Sequence, residues 1–142
     1  MSKILLSFML FSFMLTQCSE KKSQDSQNSC EGIMCTQQFV SFSVTLSDSN
    51  GNSVPLDDYK VIDQRSGEDL TQSEKAASFF EYEPGGPYPL YGDVFQDEHQ
   101  NSERKLVFQG FNGGQEIISH TYTVAADCCH VRLVDGELNL SL

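Results

Sequence analysis

The sequence predicts an all-β fold, a seven- to eight-stranded antiparallel β-sandwich stapled by disulfide bonds. Short stretches alternate between apolar and polar side chains, which is the period of strands buried on one face. Turns rich in Gly, Asn and Pro separate these stretches at intervals of about 8–12 residues, as in two-sheet sandwiches. Four cysteines follow an N-terminal export signal, and small exported domains commonly carry disulfides.

The first two strands are predicted at residues 39–46 and 59–64. In the first, Val, Phe, Val and Leu at the even positions alternate with mainly hydroxyl side chains. The run Asp-Ser-Asn-Gly-Asn at residues 48–52 contains Asn-Gly, so we expect the two strands to form a hairpin. The same run, with Asp57, could instead gather oxygens around calcium, but it lacks the sixth-position glycine and the terminal glutamate of an EF-hand loop.

Shorter elements are predicted for the middle of the chain. Residues 71–78 form a helical turn or a loop, and residues 79–82 form a short strand. Pro-Gly-Gly-Pro at residues 84–87 ends that strand, because proline cannot donate a hydrogen bond to a neighbouring strand. A further strand is predicted over residues 88–94, and a polar loop over residues 97–103.

Two hairpins complete the predicted fold. The first joins strands at residues 106–111 and 116–125 through an Asn-Gly-Gly turn. The second joins strands at residues 130–134 and 137–142 through an Asp-Gly turn. No stretch has the length and period of a long helix.

Residues 1–17 have the pattern of a lipoprotein signal peptide. Lys3 precedes an apolar run of about 12 residues, which suits a signal core of 7–15 residues and is short of the roughly 20 needed to span a bilayer. Leu15-Thr16-Gln17-Cys18 resembles the lipobox, although Gln17 replaces its small residue. We therefore predict lipidation of Cys18. The alternatives are an ordinary secretory cleavage site, for which the nearby triplets lack small residues, and a buried N-terminal helix.

Residues 18–29 are predicted to be the lipidated cysteine and a flexible tether, and residues 30–142 the folded domain. The tether contains no apolar residue after Cys18, so it is too polar to fold. Its charged residues resemble the surface-export tags of Bacteroidota lipoproteins. We expect an exported protein that is anchored to the outer membrane by lipid, including palmitate. The domain would lie on the periplasmic or the surface face.

The charge balance limits the partners. The chain has 9 basic and 20 acidic residues, a net charge of -11, and such a chain repels phosphate backbones and anionic surfaces. We therefore expect no nucleic-acid partner. The acidic residues are spread along the chain, which favours a solvated surface over a dedicated cation site.

Four cysteines remain once Cys18 is assigned to lipid, and an even number in an exported chain predicts disulfides. We expect Cys30 and Cys35 each to bond with one of Cys128 and Cys129. A local Cys30–Cys35 bond with a bond between the two neighbouring cysteines is the alternative. A metal cluster of the cysteines with the following histidine is not expected, because adjacent strand residues point to opposite faces.

Two segments carry a resemblance to known families. From Phe39 to Asp63, the order strand, Asp-Ser-Asn-Gly-Asn, Val-Pro-Leu, strand resembles the opening of carboxypeptidase regulatory-like and transthyretin-like domains. The ending at residues 122–131, with the Cys-x4-Cys motif at residues 30–35, is similar to small Bacteroidota lipoproteins of no assigned activity. The resemblance implies an Ig-like or prealbumin-like sandwich and transfers no catalytic residue.

The aromatic segment at residues 79–91 is the best candidate for ligand binding. Tyr82, Tyr88 and Tyr91 lie among Pro and Gly, a composition typical of grooves that contact glycans or peptides. The alternative is that these rings fill the core, since the chain has no Trp.

The motifs of common enzymes are absent. The chain has no Gly-x-Ser-x-Gly, no His-Glu-x-x-His and no glycine-rich phosphate loop. We expect no enzyme activity, no catalytic residue, no cofactor and no metal. The expected function is a membrane-anchored, non-catalytic binding or structural module of the bacterial envelope with a protein or glycan partner. The alternative is a small periplasmic inhibitor or an accessory factor of an envelope enzyme or of a secretion or uptake system.

Overall fold

The protein is mostly β and contains two sheets of three and four strands. A computed structural model describes residues 30–73 and 85–142. Its strands are β1 Ser41–Ser47, β2 Asp58–Asp63, β3 Tyr88–Gly92, β4 Ser102–Asn112, β5 Gln115–Ala126, β6 Val131–Asp135 and β7 Asn139–Ser141. Short 3-10 turns span Leu70–Gln72 and Asp93–Phe95, and one four-residue helix, α1, spans Gln96–His99.

Several predicted features fall outside the described residues. They are the signal peptide, the lipidation site Cys18, the tether, and the strand at residues 79–82 with Tyr82. Within residues 30–73 and 85–142, no helix is long and apolar enough to cross a membrane.

The four-stranded sheet has the order β2-β4-β5-β6, and all of its pairings are antiparallel. The hairpin between β4 and β5 is present as predicted and turns at Gly113 and Gly114. Both glycines have positive φ angles, 58° and 76°, which most other residues adopt only at a cost. The Asn-Gly-Gly signal therefore located this turn correctly.

The three-stranded sheet has the order β3-β1-β7, and it corrects the prediction of a purely antiparallel fold. Strand β1 is antiparallel to β3 but parallel to β7, with Thr45 opposite Asn139. The predicted hairpin of the last two strands is therefore wrong. After β6 the chain passes over Tyr122, whose hydroxyl donates to the Glu137 carbonyl at 2.7 Å, and this crossing takes β7 to the other sheet.

The predicted hairpin of β1 and β2 is also wrong, although its turn forms. Asp48 Oδ1 accepts hydrogen bonds from the backbone N–H groups of Asn50 and Asn52, each at 2.8 Å. A single antiparallel bridge then joins Ser47 to Ser53. Beyond it the chain leaves for the four-stranded sheet, so β1 and β2 belong to different sheets. Local turn chemistry determined the turn, whereas packing determined the partner of each strand.

The predicted polar loop at residues 97–103 is replaced by α1 and the start of β4. Gln96 and His99 are buried despite their polarity, with 8% and 3% of their surface exposed. Gln96 donates to the Asp127 carbonyl at 2.6 Å, and His99 Nδ1 forms a 2.8 Å hydrogen bond with the Tyr91 hydroxyl. Buried polar groups are stable when they have such partners.

One hydrophobic cluster contains residues of both sheets. Alternating strand positions supply it, as the strand period requires. The members that are largest and most fully buried are Tyr88, Tyr91, Tyr122, Phe108, Leu106, Val44, Val61 and Val124. An ion pair of Asp63 and Arg104, at 2.8 Å, lies among the inward-facing residues, and the Asp63 side chain is 1% exposed.

The buried His99 makes the stability of the protein depend on pH. Burial is the main cause that lowers the pKa of His99, and the Arg104 charge lowers it further. Between a pH of about 6.5 and this lower value, the unfolded chain binds a proton at His99 that the folded chain does not. The stability contributed by the neutral ring is therefore complete above about pH 6.5 and is lost as the pH falls.

We expect the free energy of unfolding to decrease by up to about 1 kcal/mol between roughly pH 7.5 and pH 5.5 through His99. Urea titrations at the two pH values measure the decrease. The His99→Gln variant should show a smaller decrease, and His120→Gln, altered at a partly exposed ring on β5, should keep it. An unchanged decrease in His99→Gln would contradict the assignment.

We expect Gly136→Ala to lower the free energy of unfolding by about 2–4 kcal/mol. Gly136 has a φ of 116°, and an added Cβ would lie 3.1 Å from Cε1 and Cγ of Tyr122 and closer still to Cδ1. Tyr122 is fully buried, so its ring cannot move aside freely. The control is Gly113→Ala, which has open space around the new Cβ and should cost only about 1 kcal/mol. Equal losses in urea titrations would contradict the steric explanation.

Candidate functional site

The candidate site is the part of the domain that contains both disulfides, here called the disulfide end. It comprises residues 30–40, Asp93 and the turn at residues 127–131. Bonds join Cys30 to Cys128 and Cys35 to Cys129, with Cα–Cα distances of 5.3 Å in both. The predicted disulfide bonding is present, with each N-terminal cysteine bonded to one C-terminal cysteine.

All four sulfurs are oxidised, so none is available as the thiolate that a metal cluster would need. Within residues 30–73 and 85–142, no group of three or more His, Cys, Asp and Glu side chains is arranged to hold a metal ion. The alternative of a Cys-Cys-His metal cluster is therefore wrong for these residues.

A tight turn presents the two neighbouring cysteines to different partners. The Asp127 N–H donates to the His130 carbonyl at 3.0 Å and closes the turn between β5 and β6. Asp127 Oδ1 accepts from the N–H groups of Cys129 and His130 at 2.7 and 2.9 Å. These backbone donors hold the pKa of the Asp127 carboxyl below its usual value. Because the turn is not a regular strand, both cysteines can reach the same N-terminal segment.

The Asp93 carboxylate connects the two sheets at this end. Asp93 directly follows β3 in the three-stranded sheet. Its Oδ1 accepts from the N–H of Val131, which begins β6 in the four-stranded sheet, at 2.8 Å. Its Oδ2 accepts from the N–H of Val40 at 2.8 Å and lies 2.8 Å from Nδ1 of His130. The Asp93 N–H in turn donates to the Val40 carbonyl at 2.9 Å.

His130 extends this network to the N-terminal segment. Its Nε2 lies 2.8 Å from the Thr36 hydroxyl, while its Nδ1 faces Asp93. Hydroxyl, imidazole and carboxylate in this order are the parts of a hydrolase triad, in which the imidazole takes the hydroxyl proton. The same order also serves to hold a loop in place. The Asp93 carboxylate also accepts two backbone N–H groups, so it joins three chain segments.

Neither of two surface cavities includes these residues. The larger, of about 420 Å³, is lined by Gln64, Arg65, Glu103, Arg104 and Lys105. The smaller, of about 240 Å³, is lined by Asp57, Asp58, Lys60, Phe111 and Gly114. Thr36 therefore faces neither cavity.

The structure does not support a ligand contact at Tyr88 or Tyr91. Their exposed fractions are 1% and 0%, and both rings belong to the hydrophobic cluster. The Tyr88 hydroxyl accepts from the Leu56 N–H at 2.8 Å and reaches the Val54 carbonyl at 3.1 Å. Both rings therefore fill the core, as the alternative interpretation of Tyr88 and Tyr91 predicted. Tyr82 is outside the described residues.

Sequence reasoning missed Asp93 and Thr36. The partners of Asp93 lie 37 to 53 positions away in the chain, so no local pattern identifies it. Thr36 lies in a segment without period, and its partner His130 is 94 positions away. The one available signal was the Cys-Cys-His run, which places His130 beside both disulfides.

We expect Asp93→Asn to lower the free energy of unfolding by about 2–3 kcal/mol. If the amide nitrogen takes the place of Oδ2, two donors face each other at Val40, so a charge-assisted bond is lost. Urea titration measures the loss, and hydrogen exchange at the amides of Val40 and Val131 should quicken. The matched control Asp97→Asn alters an exposed neighbouring carboxylate and should change neither quantity. Normal exchange at both amides in Asp93→Asn would contradict the role given to Asp93.

Comparison of the chain with protein-family models, with curated proteins and with solved structures gives no match. The likeness to transthyretin-like domains and to Bacteroidota lipoproteins stays a prediction from the sequence.

Proposed function

We propose that this protein is an exported lipoprotein whose Cys18 is anchored in a bacterial outer membrane. Its folded part is a non-catalytic binding or structural module of the envelope. The observation that carries the proposal is the pair of disulfides that join Cys30 and Cys35 to Cys128 and Cys129, in a chain whose first residues resemble a lipoprotein signal. Such bonds persist in oxidising compartments, which a chain reaches by export.

The disulfides also support the assignment of Cys18. The sequence has five cysteines, and four of them are paired with each other. Cys18 is thus the one cysteine left for lipid, and it stands at the polar edge of the apolar run. A lipid on Cys18 would leave no unpaired thiol in an oxidising compartment.

We further propose that the two sheets pack face to face as an Ig-like or prealbumin-like sandwich. Supporting contacts run between aromatic rings of the two sheets. Tyr88 of the three-stranded sheet lies with its ring centroid 5.6 Å from that of Tyr59 and 6.1 Å from that of Phe108. Both of those residues belong to the four-stranded sheet, and inward-facing side chains that meet in this way are typical of a sandwich core.

The Thr36–His130–Asp93 array is compatible with a non-catalytic role. A hydrolase also needs donors that stabilise the oxyanion, and a cleft that positions the substrate. The two cavities described above are lined by other residues. We assign to the array the role of fastening the N-terminal segment to the turn at residues 127–131, through the contacts of His130 with Thr36 and of Asp93 with Val40 and Val131.

We expect the full chain, produced in a Gram-negative host, to fractionate with membranes. The intact mass should correspond to a chain that begins at Cys18 and carries acyl groups. Cys18→Ser should be soluble and unacylated, because the nucleophilic thiol that receives the lipid is gone. Gln17→Gly should raise the processed fraction, since the lipobox requires a small residue there.

The matched control is Cys30→Ser, which removes a disulfide sulfur and should leave the acyl groups in place. An unacylated chain in the wild type would overturn the lipoprotein proposal. Hydrolysis of a p-nitrophenyl ester by the wild type, lost in Thr36→Ala and unchanged in Thr45→Ala, would overturn the non-catalytic role.

A further inference from the structure

We propose that the loop between Cys30 and Cys35, with Phe39 beyond it, docks on the lipid bilayer to which Cys18 is attached. The inference deepens the proposed function and rests on its lipid anchor. It gives the domain an orientation, with the disulfide end against the membrane and the Gly113–Gly114 hairpin away from it.

The loop exposes large apolar side chains. Among the described residues six large hydrophobic side chains are exposed, and three of them, Ile33, Met34 and Phe39, lie within seven consecutive positions. Met34 is 95% exposed and Ile33 is 52% exposed. Single exposed apolar residues are ordinary, but a group of them on one short segment indicates a contact surface.

The disulfides prevent this loop from burying its own side chains. Ile33 and Met34 lie between two cysteines that are bonded to the neighbouring residues Cys128 and Cys129. Beyond Cys35, Thr36 is held by His130, and Val40 is held by Asp93. A rigid segment loses little conformational entropy when it binds a surface.

The charge of this segment suits a bilayer better than the rest of the domain does. Glu31 is the one charged side chain among residues 30–40, and residues 32–40 include none, although the chain as a whole has 20 acidic and 9 basic residues. An acidic surface is repelled by anionic lipids, and charged groups lose hydration on entering the interface. The uncharged segment meets neither cost, so it is the face that can approach the membrane closely.

The position of the segment in the chain brings it to the membrane. Eleven residues lie between Cys18 and Cys30. For the polar tether that the sequence predicts, this length corresponds to a root-mean-square end-to-end distance of about 20 Å. The loop is therefore the part of the domain that the anchor confines nearest to the lipid. Confinement of this kind raises the effective concentration of the loop at the bilayer, so three apolar side chains suffice for contact.

The chain has no Trp, so a single introduced Trp reports the contact without background. The full-length acylated Met34→Trp protein is reconstituted in phosphatidylcholine vesicles, with and without lipids brominated in the acyl chains. We expect its emission to shift to shorter wavelength and to be quenched by the brominated lipids. The matched control is Ile117→Trp, an exposed position on β5 about 30 Å along the strand from Ala126.

Quenching several-fold stronger at position 34 than at position 117 supports the proposal. In the double variant Met34→Trp with Ile33→Glu, the quenching should fall, because a charge now accompanies the loop into the interface. Solvent-like emission at position 34 without quenching would overturn the proposal and favour an apolar pocket of an envelope protein as the partner. Equal quenching at positions 34 and 117 would also overturn it, because the domain would then lie on the bilayer without orientation.

The intact mass of the same sample separates this proposal from the lipid anchor. If Cys18 carries no acyl group, the anchor has failed, and its free thiol is coupled to a maleimide-bearing phospholipid before the same measurement. Quenching at position 34 would then support docking by the loop even though the natural anchor was wrong. Its absence in the coupled protein would reject docking independently of the anchor.

Discussion

The arrangement of the two sheets depends on the hydrogen bonds that the Asp93 carboxylate accepts. One side chain at the end of β3 accepts from Val40, before β1, and from Val131, at the start of β6. Strands of both sheets are therefore fastened to one charged group. Its charge-assisted hydrogen bonds are stronger than neutral ones and are also directional, so they set the relative position of these segments where apolar packing alone would allow sliding.

The disulfides and the Asp93 network act on the same segment by different means. Cross-links with sequence separations of 98 and 94 reduce the conformational freedom of the unfolded chain. The hydrogen bonds of Asp93 and His130 instead select one position for residues 36–40 in the folded state. A domain of about 110 residues buries less of its surface than a large one, so both contributions matter. Together they allow a loop rich in apolar side chains to stay exposed.

Sequence periodicity located most strands, because an alternating pattern is a property of the residues themselves. Strands β1, β2 and β5 lie within two residues of their predicted bounds, whereas β4 begins four residues earlier than predicted. The partner of each strand was harder to predict, because strand pairing depends on the packing of the whole core. The Asp-Gly turn after β6 predicted a hairpin, yet the chain crosses Tyr122, and β7 joins β1. The site was harder still to predict from the sequence. The number of cysteines predicted the disulfides, whereas the contacts of Asp93 form only between residues that are distant in the chain.

The parallel pairing of β1 with β7 has a consequence for the order in which the chain folds. Strand β1 can pair with β7 only when residues 139–141 are available. Both disulfides likewise require residues 128 and 129. An emerging chain cannot form these contacts until its C-terminal part has followed, and contacts so distant in sequence form slowly. If the chain is exported as proposed, it would pass through the translocation channel before these contacts form. The architecture therefore delays folding until the C-terminal residues are available.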